Sequence, residues 1–237
     1  MIHIENCLMP HLFEAQLTQI REAMLMMSSL TDRNLSNALK ALVDRNDKLA
    51  DLVEKEDSMI DQLEINVDEM VIAYMATRAP VATDCRFMLA ASKISSNLER
   101  IGDQATTIAR RARDLNKEPL LKPLIDIPVM AEMALEMLRD SITAFVEGNS
   151  DLAHEIIARD RTVDDINRQL ARELTTYMME DPKTITRALN LLLIAKCLER
   201  VADHAANIAE DVYYLYRGED IRHQKKLKSG EVKEVEG

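Results

Sequence analysis

The strongest constraint on this chain is that it is written twice. LERIGDQATTIA at residues 98–109 returns as LERVADHAANIA at 198–209, and residues 41–61 align without a gap to residues 144–164. Ala41, Val43, Asn46, Leu49, Ala50, Asp57 and Asp61 keep identical partners 103 positions on, and Tyr74-Met75 pairs with Tyr177-Met178 at the same spacing. A repeat of this length is a domain-sized unit, so whatever one half folds into, the other folds into as well.

The unit is helical. Ile94, Leu98, Ile101, Ala105, Ile108, Ala112 and Leu115 alternate steps of four and three without a miss, which is one face of an α-helix. Five glycines, 3% aromatic residues and no Trp leave a sheet short of turns and of strand-forming side chains. The same glycines lie far apart, so no Gly-rich phosphate loop exists. Prolines at 10, 80, 119, 123, 128 and 182 punctuate the rest. Asp181-Pro182 is an N-cap followed by the residue best suited to the first helical turn. The stretch before Pro80 is too long for one helix and breaks at Asp44-Arg45-Asn46-Asp47, where the second copy carries Gly148-Asn149-Ser150. Helices are predicted at 11–44, 47–78, 81–117, 129–147, 150–180 and 183–217. The fold expected is all-α, two tandem antiparallel three-helix bundles related by the repeat. Residues 1–118 form the first bundle, 119–128 a Pro-rich linker, 129–217 the second bundle and 218–237 a mobile tail.

Charge and cysteine content narrow the function classes. Lys plus Arg is 30 against 41 Asp plus Glu, a formal net charge of −11, which opposes nucleic-acid binding. Cys7, Cys85 and Cys197 form no CxxC pair and are odd in number, so a disulfide scaffold is not expected and a reducing compartment fits better. The N-terminus lacks the basic and apolar regions of a signal peptide. The longest apolar stretch, Ala188 to Leu198, is broken by Asn190 and Lys196 and is too short for a transmembrane segment. A cytoplasmic protein is expected.

The candidate chemistry is acidic. On a helical wheel Leu198, Val201, Ala205, Ile208 and Val212 form a core stripe. Ala202, Ala206 and Ala209 lie beside it and admit a close neighbour. Beyond them Glu199, Asp203, Asn207 and Glu210 stack in a column. The first copy supplies Glu99, Asp103 and Thr107, and a second helix of each unit carries Asp57, Asp61 and Glu64, matched by Asp160 and Asp164. Carboxylates spaced four apart repel by a few tenths of a kcal/mol on a helix. A cation between two such columns relieves the repulsion, and carboxylates without thiolates suit hard or borderline ions such as Mg, Mn, Fe or Ca. Acidic residues at helical spacing usually mark a solvated face, and Arg100 and Arg200 stand ready to neutralise them. Four copies at repeat-equivalent positions favour metal over that reading. The second copy, with Asn207 and Glu210 in place of Thr107 and Arg110, is the better-furnished set. His204, whose counterpart is Gln104, is expected to be exposed or capping, and Cys197 to be core. Met24, Met26 and Met27 read as core filler or a partner surface. No histidine has Glu three positions before it, as a di-iron carboxylate site requires.

LERIGDQATTIARRA (98–112), LERVADHAANIAEDV (198–212), RAPVATDCR (78–86) and the EKEDSMIDQLE stretch (54–64) resemble the PhoU family of phosphate-signalling regulators, over roughly residues 10–217. The resemblance implies two three-helix bundles in tandem. It implies a cytoplasmic, often dimeric protein that is not an enzyme and that bridges the ATPase subunit of a phosphate ABC transporter to a sensor histidine kinase. Such proteins keep the phosphate-starvation regulon off and restrain phosphate uptake. The family's metal motifs fall on Glu99 and Asp103, Glu199 and Asp203, Asp57 and Asp61, and Asp160 and Asp164. Asn207, Glu210 and Glu64 are additional candidate ligands. The expected cofactors are divalent or trivalent ions (Fe, Mn, Mg or Zn), several to a patch. The chain departs from the family at Thr107, where Asn is usual. The alternatives are a metal-dependent enzyme acting on phosphorylated small molecules and a helical adaptor without metal.

Overall fold

The computed structural model describes residues 5–77 and 80–221. They form α1 (Glu5–Val43), α2 (Asp47–Thr77), α3 (Ala82–Asn116), α4 (Asp126–Glu147), α5 (Ser150–Glu180), a short 3-10 turn (Pro182–Thr184) and α6 (Ile185–Arg217). Among the described residues there is no strand. Helices α1, α2 and α3 pack into one bundle and α4, α5 and α6 into a second, with α3 lying along α6 and α1 touching α4. The tail predicted from 218 lies outside the described residues beyond Ile221.

The helix ends follow from local chemistry. The α1–α2 turn carries Arg45 at φ 53°, and the equivalent α4–α5 turn carries Gly148 at φ 69°. Both turns then use an asparagine: Asn46 Oδ1 accepts from the Lys48 amide at 3.1 Å, and Asn149 Oδ1 from the Leu152 amide at 3.0 Å. These bonds satisfy amides that a helix start leaves open. Arg45 holds its strained turn by donating from Nη2 to the carbonyls of Asn116 and Glu118. Asp181 accepts from the Lys183 amide at 3.0 Å and Pro182 follows it, as the sequence indicates.

Two prolines sit differently from the expectation. Helix α1 begins at Glu5, ahead of Pro10, and α4 begins at Asp126, ahead of Pro128. In the first turn of α4 the amide that proline lacks has no intrahelical partner in any case, so Pro128 is tolerated inside the helix.

Each core is a stripe of large aliphatics. Ile60, Val67 and Tyr74 of α2 and Leu98, Ile101 and Ile108 of α3 belong to the first core, and Val163, Leu170 and Leu174 of α5 with Leu198, Val201 and Ile208 of α6 to the second, all fully buried. Burial of one such side chain stabilises by roughly 1.5–3 kcal/mol.

The bundles join along an antiparallel seam between α3 and α6. Asn97 Oδ1 lies 3.0 Å from His204 Nδ1, and Lys93 Nζ lies 3.2 Å from the buried Asp211 carboxylate. Exchanging the two repeats turns Asn97–His204 into Gln104–Cys197, and both of those residues line one cleft on the other side of the seam. The seam therefore has an approximate two-fold axis. At its edge Arg139 of α4 grips Asp32 of α1 with two hydrogen bonds, at 2.6 and 3.2 Å.

Candidate functional site

Helices α2 and α3 bring the first set of predicted carboxylates together. They approach closely at Gly102, where a Cβ would stand 3.0 Å from Ile60 Cδ1 and 3.8 Å from Asp57 Oδ1. The close approach sets Asp57, Asp61 and Glu64 of α2 against Glu99 and Asp103 of α3. Their fields overlap. The Glu99 carboxyl is pushed up to about 6, first by burial and then by Asp103, Glu64 and Asp61, with Arg100 opposing. Asp61 is raised by burial and by Asp57. A carboxyl held up by its neighbours' charge is a group that a cation would relax.

The second set is spread over α5 and α6. Asp160 and Asp164 are half-buried on α5; on α6 Glu199 is half-buried and Asp203 exposed, with Asn207 and Glu210 half-buried one turn on. Glu199 already has a cation, since Lys196 Nζ lies 2.6 Å from its Oε2. In the first set Thr107 is half-buried, and Arg110 lies 3.5 Å from Glu54.

The donor chemistry of both patches, oxygen ligands only, suits a hard or borderline cation. Among the described residues no group of three or more His, Cys, Asp or Glu side chains is arranged to hold a metal ion. Loading either patch would therefore require side-chain rotation. The raised Glu99 carboxyl marks the first patch as one that a cation would relax.

Other candidates resolve plainly. His204 is neither exposed nor capping: it belongs to the seam, bonded to Asn97. Burial lowers its pKa; Asp203 opposes, and Arg100 and Arg200 add to the lowering. Cys197 is core, and burial pushes its thiol up to about 11 against the pull of Arg200 and Arg111, so it carries no thiolate at neutral pH. Met24 and Met27 are core, while Met26 is 65% exposed on α1 beside a groove against Met70 of α2. Sequence reasoning missed the seam pairs Asn97–His204 and Lys93–Asp211. The one signal for them was the small-residue stripe of α6, which announced a close neighbour without naming it.

Known proteins supply the frame. The PhoU domain profile matches residues 24–112 and again 127–212. A phosphate-specific transport system accessory protein PhoU homolog of Pseudomonas putida is 40% identical over 212 residues, covering 89% of this chain and 83% of that protein. The crystal structure of PhoU from Pseudomonas aeruginosa superposes with a TM-score of 0.86 at 39% identity, over 87% of this chain and 100% of that one. The phosphate transport system regulatory protein PhoU from Streptococcus pneumoniae superposes at 0.82 with 29% identity, over 88% and 99%. Each half of the internal repeat thus corresponds to one PhoU domain, and the chain belongs to the PhoU family.

Proposed function

We propose that this chain is a regulatory accessory protein of phosphate transport. It acts as a helical adaptor that restrains phosphate uptake and keeps the phosphate-starvation response off while phosphate is plentiful. The observation that carries the reading is the PhoU match in both halves, with relatives named as accessory or regulatory proteins of phosphate transport. Those names favour an adaptor over the metal-dependent enzyme. Among the described residues no helix is long and apolar enough to cross a membrane, so the chain would meet a membrane transporter by docking. Its partners in this reading are the transporter's ATPase subunit and the sensor histidine kinase, and it works as a homodimer.

Metal belongs to the proposal through the first patch. Asp57, Asp61, Glu99 and Asp103 would hold a cation there, and Asp160, Asp164, Glu199 and Asp203 in the second patch. A bound cation would supply charge compensation between two helices of one bundle. Gly102 supports the arrangement by letting α2 and α3 approach, and the buried Ile60 beneath it fixes their spacing.

The regulatory reading is tested by expressing the chain in a bacterium that lacks its own PhoU protein and following a phosphate-starvation reporter in phosphate-rich medium. Repression is expected; a reporter that stays on refutes the reading. For metal, thermal unfolding is compared with added Mn and with chelator, in the parent and in Glu99→Gln/Asp103→Asn and Glu199→Gln/Asp203→Asn variants. Stabilisation by Mn that the variants lose is expected. Identical melting curves throughout would leave an adaptor without metal.

A further inference from the structure

We propose that residues 222–228 of this chain seat in the open groove between α1 and α2. The groove measures about 580 Å³, and Glu22, Met26, Leu63, Glu69, Met70 and Ala73 line it. Its apolar side chains come from both helices. Met26 is 65% exposed, and Leu63 and Met70 are half-buried. Its charges are of one sign: among the described residues that line it there is no cation. Glu22 and Glu69 are exposed, and among the described residues neither makes an ion pair.

The second repeat shows what such a groove accepts. The counterparts of Gln19, Ala23 and Met70 there are Lys122, Asp126 and Glu173. Lys122 belongs to the segment ahead of α4. Its Nζ lies 2.9 Å from Asp126 and 2.5 Å from Glu173, and its side chain is 7% exposed. A lysine from a connecting segment is thus lodged between α4 and α5. In the first repeat α1 runs unbroken from Glu5 past Gln19, so no connecting segment enters at that point. The acids are present all the same: Glu22 and Glu69 stand where the second repeat has Ile125 and Arg172.

The chain itself carries a segment of matching chemistry. Arg222, Lys225, Lys226 and Lys228 accompany Leu227, and residues 222–228 include no acid. They follow Ile221, the last described residue, which packs against the core. The end of α6 and the groove lie at one end of the molecule. Tyr216 Oη donates to the Phe145 carbonyl at 2.8 Å, the Phe145 ring stacks 6.1 Å from Phe87, and the Arg21 guanidinium stands 5.1 Å over Phe87. Arg21 adjoins Glu22 of the groove. Seven extended residues reach about 23 Å, roughly twice the width of the one helix to be rounded. Seated there, the lysines meet Glu22 and Glu69, and Leu227 takes the exposed face of Met26 out of water. Exposed ion pairs are individually weak, but the tether holds the segment at high effective concentration, an advantage no partner arriving from solution has.

The test is oxidation of Met26 by dilute hydrogen peroxide in the full chain at low ionic strength, read by peptide mapping. Met179, 81% exposed on α5, is the internal reference. Four proteins are compared: the parent, Glu22→Lys/Glu69→Lys, Lys225→Glu/Lys226→Glu/Lys228→Glu, and the five changes together. Relative to Met179, Met26 is expected to oxidise at least threefold faster in each charge-reversed variant than in the parent. The combined variant, with both sides reversed, is expected to return to the parent's rate. Three results overturn the proposal: equal Met26 rates in all four proteins; faster oxidation that the combined variant does not correct; or protection in the parent that grows with protein concentration, which assigns the groove to a second copy.

Discussion

Gly102 and Ile60 give a volume exchange that can be measured. The first repeat pairs Gly102 with Ile60, and the second places Ala202 and Val163 at the equivalent positions, both fully buried. Gly102→Ala removes a mid-helix glycine, which alone stabilises by about 1 kcal/mol. Its new Cβ would stand 3.0 Å from Ile60 Cδ1, and Ile60 is 0% exposed, so the δ-methyl would have to shift within the core. Overpacking of this kind costs about 1–3 kcal/mol, so the single variant is expected to be less stable than the parent by about 1 kcal/mol. Ile60→Val alone leaves a small void and costs about 0.5–1.5 kcal/mol. Together the two changes recreate the packing of the second repeat. The clash disappears because Cδ1 is gone, and Cγ2 would lie at an ordinary 3.5 Å. The double variant is expected within about 0.5 kcal/mol of the parent, a favourable coupling of about 1–2 kcal/mol. Urea unfolding of the four proteins reads the cycle directly, and in melting temperature each kcal/mol is worth about 2–4 °C for a chain of this size. Additive single effects would show that Ile60 does not set the α2–α3 spacing at Gly102.

Three further outcomes are expected. Gly148→Ala should lower the melting temperature by several degrees, because φ 69° is strained for alanine and its Cβ would lie 3.1 Å from the Tyr216 ring; an unchanged melting point would show that this turn relaxes. In the metal-free protein Glu99, pushed up from 4.5 to about 6, holds its proton more tightly in the folded state, so its contribution favours folding at low pH and is lost as pH rises through that window. Glu99→Gln should therefore stabilise the protein at pH 7 relative to the parent but not at pH 4, and equal urea midpoints at both pH values would refute the α2–α3 charge overlap. Cys197, buried with its thiol near 11, should react with a thiol reagent only on unfolding, whereas the half-buried Cys85 reacts in the native protein; peptide mapping that finds native Cys197 modified would contradict its place in the core.

Most of the helical plan can be read without coordinates because it is local. Asp181-Pro182 announces its own helix start, and the break at Arg45-Asn46 is visible once Gly148-Asn149 is set beside it. The proline rule fails at Pro128, since a proline in the first turn of a helix is silent, and at Pro10, which stands five residues into α1. The acidic columns of α2 and α3 are legible as columns, and the structure adds that they face each other across Gly102. Periodicity could not reveal that His204 turns away from the acids to meet Asn97. That contact depends on how α3 crosses α6, and a helical wheel describes one helix at a time.

The two-fold axis of the α3–α6 seam makes the joint between the bundles isologous, of the kind by which two copies of one chain associate. A surface that complements itself carries its own instructions for orientation. The segment between Asn116 and Asp126 therefore does not dictate how the halves meet. It holds the second half at high effective concentration beside the first. With pairing secured by the tether, residues on the two sides of the axis are free to diverge, so that one flank can keep a histidine–asparagine bond while the other opens into a charged cleft.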